Sequence, residues 1–197
     1  MKHSLDIHHR RSIRFQEYDY SLAGAYFVTI CAQNRARLFG NVVDGEMRLS
    51  AYGRVAQDKW NELPTHYANV VLDTFLVMPN HIHGIIVISV GAIHESPLQQ
   101  PMDITQRRLM LLPKIVGRFK MNSAKRINEM RGTSGLPVWQ RNYYEHVIRN
   151  DESLNKIREY IINNPAQWEF DRENPVGAIH ESPLHESPLS KNEPWRI

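Results

Sequence analysis

Two apolar runs, Phe75-Leu76-Val77-Met78 and Ile85-Ile86-Val87-Ile88, are separated only by Pro79-Asn80 and the short stretch His81-Ile82-His83-Gly84. Runs this short, rich in β-branched residues and broken by a turn pair, predict two adjacent and mostly buried strands. In a strand alternate side chains share a face, so His81 and His83 point the same way, at the start of the second strand. Two imidazoles separated by one apolar residue form a two-point clamp for a divalent metal. A satisfied core histidine beside an incidental one would produce the same pattern, so the pair needs a second motif before it means chemistry.

The rest of the chain predicts a single α+β domain. Its 197 residues are 42% hydrophobic, enough for one well-filled core. No apolar run is long enough to span a membrane, and residues 1–6 lack a signal-peptide core. The single cysteine, Cys31, excludes an internal disulfide framework, suits a reducing cytoplasm, and reads as a small buried hydrophobe in a strand. A net charge of +3 and a pI of about 9.0 permit a polyanionic partner without requiring one.

Residues 1–24 carry a basic arm, His8-His9-Arg10-Arg11-Ser12-Ile13-Arg14. Strands are predicted over 25–31 and 45–50, followed by a helix from a Ser50 cap to Leu63 with Val55, Trp60 and Leu63 facing the core. After the histidine strands, Leu112, Ile115, Val116, Phe119, Ile127 and Met130 keep helical spacing, with Lys114, Arg118 and Lys125 on a second stripe. Such a stripe serves equally as a solvated face or a DNA contact. A strand-like passage covers 138–149, and a last helix runs from about Glu152 to Asn164, where Pro165 stops it. This order predicts helices packed on an antiparallel sheet.

One segment is repeated without change. Val90-Gly91-Ala92-Ile93-His94-Glu95-Ser96-Pro97-Leu98 returns as residues 176–184, and a truncated copy, His185-Glu186-Ser187-Pro188-Leu189, follows. Structural repeats diverge and keep a steady period, whereas these copies are identical and irregularly placed. They are expected to be a repeated DNA element copied into permissive points of the gene. The domain is accordingly expected to occupy 1–171, with 90–105 an inserted loop and 172–197 a disordered tail. A metal site of His94, His180 and His185 is the competing reading.

In the last helix Lys156, Tyr160 and Asn164 are four apart and line one face, beside the apolar face of Leu154, Ile157 and Ile161. Tyr160 therefore stands at the edge of a buried face, where a phenol is held rigidly yet can reach a cleft. Lys156, one turn earlier, could favour its phenolate electrostatically.

Three motifs in order, Met78-Pro79-Asn80-His81-Ile82-His83, then Trp139-Gln140-Arg141 with Tyr144-Glu145-His146-Val147-Ile148-Arg149, then Tyr160-Ile161-Ile162-Asn163-Asn164-Pro165, resemble the single-tyrosine (HUH) transposases of the IS200/IS605 type. Within that group they are most similar to the REP-associated tyrosine transposases. The resemblance covers most of 14–168 and implies a ferredoxin-like sheet of the HUH-endonuclease kind. It further implies Mg²⁺ or Mn²⁺ held by His81 and His83, Tyr160 as nucleophile, and Asn164 as a third polar ligand. Single-stranded or hairpin DNA is then the expected partner, with nicking and strand transfer through a 5′-phosphotyrosine as the reaction. Arg11, Arg14, Lys114, Arg118, Lys120, Arg141, Arg149 and Lys156 are the candidate DNA contacts. Relatives are dimers or monomers, so either state is expected, in the cytoplasm and near the nucleoid. The alternative is a domesticated hairpin-binding protein that no longer cuts. A histidine-triad hydrolase is set aside, because position 85 is Ile85 where that pattern needs a third alternating histidine.

Overall fold

The computed structural model of the chain describes residues 19–89, 110–171, 173 and 174. Arg11, Arg14, the segment 90–105, the three repeat copies and the tail from 175 lie outside the described residues. The elements run β1 (Gly24–Cys31), a 3₁₀ turn (Gln33–Arg35), β2 (Gly40–Val43), β3 (Glu46–Leu49), α1 (Ala51–Asn61), α2 (Leu63–His66), β4 (Val70–Val77), β5 (His81–Ile88), α3 (Leu111–Met130), β6 (Tyr144–Ile148), α4 (Asp151–Asn163) and a second 3₁₀ turn (Pro165–Phe170).

β4, β5, β1 and β6 form one antiparallel sheet in that spatial order, and β2 and β3 form a separate hairpin. Counting only the sheet strands, the chain order is β-α-β-β-α-β with the first and third strands central, which is the ferredoxin-like arrangement. Three departures from the sequence reading stand out. The strand β2 was not anticipated, because Gly40-Asn41-Val42-Val43 carries only two β-branched residues. The passage expected over 138–149 is a strand only at Tyr144–Ile148, and Trp139 makes an isolated bridge to Ala32. The helix expected from Ser50 to Leu63 divides at Glu62 into α1 and α2. Ser50 caps the first, its hydroxyl accepting from the Gly53 amide at 3.1 Å.

The period of two sorts the central strands between two cores. Tyr26, Val28, Ile30, Ile82, Ile86 and Ile88 join Trp60 of α1 and Leu112, Ile115, Val116, Phe119 and Ile127 of α3 on one face. Phe27 and Ile85 turn to the other face and meet Ile157 and Ile161 of α4, with Leu154 and Tyr160 packed alongside. Fully burying such a side chain contributes about 1.5–3 kcal/mol each, so the sheet is held between two apolar layers. The sequence reading of α4 holds on this point, its Leu154–Ile157–Ile161 face binding the helix to the sheet.

Two contacts tie α1 and α4 to the histidine strand and its neighbour. Trp60 is stacked on Phe75 with ring centroids 4.6 Å apart, and it lies so close over β5 that a Cβ on Gly84 would sit 2.3 Å from its ring. Glycine is required there by that close approach. On the other face, β4 slips register between Leu72 and Phe75, and Asp73 in the slip takes a two-point grip from Arg158 of α4, Nε to Oδ1 at 2.9 Å and the second nitrogen to Oδ2. That guanidinium, aided by the Thr74 amide and hydroxyl, holds the Asp73 carboxyl down to about 2.

Gly84→Ala is expected to destabilise the fold by about 1–3 kcal/mol through overpacking against Trp60, read by urea unfolding at neutral pH. For Asp73 the lowered pKa means its contribution is present above the ordinary value of 3.8 and lost as pH falls through about 2. Asp73→Asn should therefore cost on the order of 1 kcal/mol at pH 7, and the gap to wild type should close across that acid window.

Candidate functional site

The turn that carries the histidines is pinned on three sides. Met78 N donates to the His81 carbonyl (2.9 Å) and closes the β4–β5 hairpin around Pro79-Asn80. Ala32 N donates to the Asn80 carbonyl (2.7 Å), and Phe39 N to the Pro79 carbonyl (3.0 Å). His81 and His83 then fall opposite Cys31 and Thr29 of β1 and face the α4 side of the sheet, as the strand period predicts. They are 0% and 2% exposed, and their Nε2 atoms lie 2.9 Å apart.

The hydrogen bonds around the pair define where its protons sit. Asn80 Nδ2 donates to the carbonyls of Glu173 (2.6 Å) and Arg35 (3.3 Å), which can only accept. Asn80 Oδ1 therefore faces His81 Nδ1 at 2.8 Å, and that nitrogen must carry the proton. His81 Nε2 is then bare, so the proton in the 2.9 Å contact belongs to His83 Nε2. His83 Nδ1 in turn accepts from the Thr29 hydroxyl at 2.8 Å. Both imidazoles are neutral. Burial, with Arg35 adding to it, pushes His81 down to about 3. Burial and His81 push His83 well below its ordinary value, against a weaker opposite pull from Asp171.

Asp171 is the ligand candidate that the sequence reading missed. One carboxylate oxygen and a ring nitrogen of each histidine all lie within 4.8 Å of one another. Its Oδ2 is buried without a hydrogen-bond partner, while Oδ1 accepts from the Glu173 amide at 2.6 Å. Nothing in the local pattern marks this aspartate, since it follows the last helix by several residues and arrives only because the chain doubles back. The returning segment is tied down by Glu173 to Arg35 (3.1 Å), by Arg37 to the Asn174 side chain (2.8 Å), and by Asn174 Nδ2 to the Trp168 carbonyl (2.9 Å). Trp168 lies 6.0 Å from the His81 ring, with the Arg37 guanidinium 5.7 Å from the centroid of the tryptophan ring. Glu173 and Asn174 are thus held in this cluster although the domain was expected to stop at 171.

Tyr160 stands where its helix face predicts. Its ring is edge-on to His83 at 5.3 Å and to Phe27 at 6.2 Å, half-buried at the margin of the α4 core. Asn164, one turn further, is 3% exposed and keeps helical angles (φ −57°, ψ −40°) in spite of Pro165, and its Oδ1 has no hydrogen-bond partner. Lys156 is exposed and paired with Glu152 at 2.6 Å, so its ammonium is committed to the carboxylate one turn back. An Asp171 carboxylate oxygen thus lies beside two neutral imidazoles, a donor set that fits a divalent cation.

The remaining motif residues divide between packing and surface. Trp139 is a core residue, stacked on Phe39 at 4.7 Å and donating Nε1–H to the Ser123 hydroxyl at 2.9 Å. Lys120 reaches across from α3 to the Gln140 and Arg141 carbonyls (2.5 and 2.9 Å) and shapes that loop. Lys114, Arg141 and Arg149 are exposed, and Arg118 is half-buried. Cys31 is half-buried rather than fully apolar in its surroundings, with Sγ 3.3 Å from the Glu173 carboxylate. Burial, then that carboxylate, raises its pKa to about 12, so it stays a thiol.

No family profile matches the chain. A Haemophilus influenzae protein described only as uncharacterized is 40% identical over 178 residues, spanning 87% of this chain and 96% of its own length. A second protein of that organism, provisionally assigned as a REP-associated tyrosine transposase, is 27% identical over 165 residues, covering 82% of this chain and 83% of its own. Among solved structures, a REP-associated tyrosine transposase bound to a REP hairpin is 18% identical, with 81% of this chain and 76% of that one covered and a TM-score of 0.47. A provisionally assigned transposase from Deinococcus radiodurans is 17% identical, with 76% and 97% covered and a TM-score of 0.41. The fold rests on its own strand order rather than on these structural likenesses. The chain belongs to one family with the uncharacterized Haemophilus protein, and it is a relative of the REP-associated tyrosine transposases.

Proposed function

We propose that this chain cuts and rejoins single-stranded DNA at hairpin ends, with Tyr160 as the nucleophile and a divalent ion held by His81, His83 and Asp171. The reading rests on one observation above all. The tyrosine ring packs against one histidine of a buried pair whose Nε2 atoms meet, and a ring nitrogen of each histidine lies within 4.8 Å of an Asp171 carboxylate oxygen. The hairpin is drawn from the resemblance to the REP-associated proteins. Asn164 is kept as a further oxygen donor on the strength of its unpartnered Oδ1. When bound, the ion would polarise a phosphate oxygen and offset the charge that builds there. Two nitrogens and one or two oxygens suit Mn²⁺ better than Mg²⁺, which prefers an all-oxygen shell.

The chain's own groups must prepare that site. If His83 were to hold the ion through Nε2, its proton would sit on Nδ1 instead, and the Thr29 hydroxyl would accept from that ring rather than donate to it. His81 needs no such change, because Asn80 already keeps its proton on Nδ1. Phe27 and His83 hold the Tyr160 ring on two edges, which restricts its approach to a phosphate laid across the histidines. A phenol with an ordinary pKa of about 10 loses its proton during attack. The new ester bond from the tyrosine oxygen to phosphorus forms as the bond to the 3′ oxygen breaks, and that oxygen leaves as a hydroxyl. A different 3′-hydroxyl can reverse the step, so no external energy source is needed. Lys114, Arg118, Arg141 and Arg149 are proposed to hold backbone phosphates, with Lys120 setting the loop that presents Arg141.

On a denaturing gel, labelled single-stranded hairpins incubated with Mn²⁺ should give a covalent protein–DNA band that is lost in chelator and in Tyr160→Phe. Retained native-gel binding without any band in wild type would favour the non-cutting hairpin binder instead. Asp171→Asn should weaken Mn²⁺ binding, followed by electron paramagnetic resonance, by about tenfold or more. An unchanged affinity there, with a large loss in Asn164→Ala, would return the third position to Asn164.

A further inference from the structure

Asn80 touches both halves of the centre. Its Oδ1 meets the ring of His81, on the β4–β5 hairpin, and its Nδ2 meets the main chain of Glu173, two residues beyond Asp171. It is 0% exposed, and its amide donates to one further carbonyl, that of Arg35 in the first 3₁₀ turn. We infer that Asn80 is a positioning residue that couples the two: it fixes the tautomer that points His81 Nε2 into the site, and it holds the returning segment so that Asp171 reaches the same point. The inference rests on the metal reading above and deepens it.

The coupling follows from amide chemistry. A primary amide offers an acceptor at one end and two donors at the other, and it cannot exchange them without a half-turn. Here a half-turn would place Nδ2 against a protonated ring nitrogen and Oδ1 against two carbonyl oxygens, leaving buried groups unmatched at about 1–3 kcal/mol each. The histidine tautomer and the seat of the returning segment are therefore set by one orientation. Glu173 carries the consequence to Asp171, because its own amide donates to Asp171 Oδ1 at 2.6 Å and an oxygen of that carboxylate lies within 4.8 Å of a ring nitrogen of each histidine. Groups behind metal ligands commonly alter affinity by about 10–100-fold, and Asn80 stands behind a nitrogen ligand and an oxygen ligand at once.

The test uses the full 197-residue protein, with Asn80→Ala and Asn80→Asp beside wild type. Three readouts are taken: long-range proton–nitrogen correlations of the His81 ring without metal, hydrogen exchange of the segment 165–174, and Mn²⁺ titration by electron paramagnetic resonance. Asn80→Ala should lose the single Nδ1–H tautomer, speed exchange in 165–174, and weaken Mn²⁺ by about 10–100-fold. Asn80→Asp keeps an acceptor for His81 but no donor for Glu173, so it should retain the tautomer while the segment exchanges faster. That split separates a positioning role from a general loss of structure, and the near-isosteric aspartate serves if the alanine protein does not fold. Unchanged tautomer and Mn²⁺ affinity in Asn80→Ala, or an aspartate variant that protects 165–174 as wild type does, would overturn the inference. Absence of Mn²⁺ binding in wild type would sink the metal reading, and the first two readouts would still decide for or against Asn80.

Discussion

Everything about this site depends on β5 being buried on both faces while its side chains alternate. Ile82, Ile86 and Ile88 lock one face into the core of α1 and α3, which leaves His81, His83 and Ile85 no choice but the α4 face. A slip of one residue would exchange the two sets and drive both imidazoles into an apolar layer. Register is therefore enforced by the hydrophobic effect on one side and expressed as chemistry on the other. Gly84 belongs to the same constraint, since the strand bearing the histidines accepts Trp60 only where a side chain is missing.

The cost of burying two imidazoles is met locally. Every ring nitrogen has a partner: Asn80, Thr29, or the other histidine. Neutral rings, rather than charged ones, are what burial enforces, and neutral rings are what a cation needs. Asp171 brings the compensating negative charge, and Arg35 and Arg37 grip the segment that delivers it through Glu173 and Asn174. Acid and base groups are thus separated by role, with guanidinium groups holding the frame and an Asp171 carboxylate oxygen lying beside the two rings.

α4 carries the nucleophile candidate into this setting through two fastenings of different kinds. Ile157 and Ile161 seat the helix on Phe27 and Ile85, and Arg158 clamps it to the register slip in β4. Tyr160 lies between them in sequence and takes the remaining place beside Phe27 and His83. Helix position and ring orientation are hence decided by packing, with Lys156 turned away toward Glu152.

Local pattern was enough for much of this. The turn at Pro79-Asn80, the shared face of His81 and His83, the 20-residue helix α3, and the Tyr160–Asn164 face of α4 could all be read from spacing, because strand and helix periods are local properties. Trp139 stood in the sequence as part of a family-like motif with no stated role and is a core residue, since a tryptophan's spacing does not disclose which neighbours will cover it. Asp171, Thr29 and the double duty of Asn80 were hidden for a similar reason. Thr29 meets His83 from 54 residues away, and Glu173 meets Asn80 from 93. No periodicity spans such distances. The sequence by itself determined which side chains share a face; only the tertiary structure decided which distant groups close over that face, because hydrogen-bond partners across strands and returning segments are chosen by the packed fold.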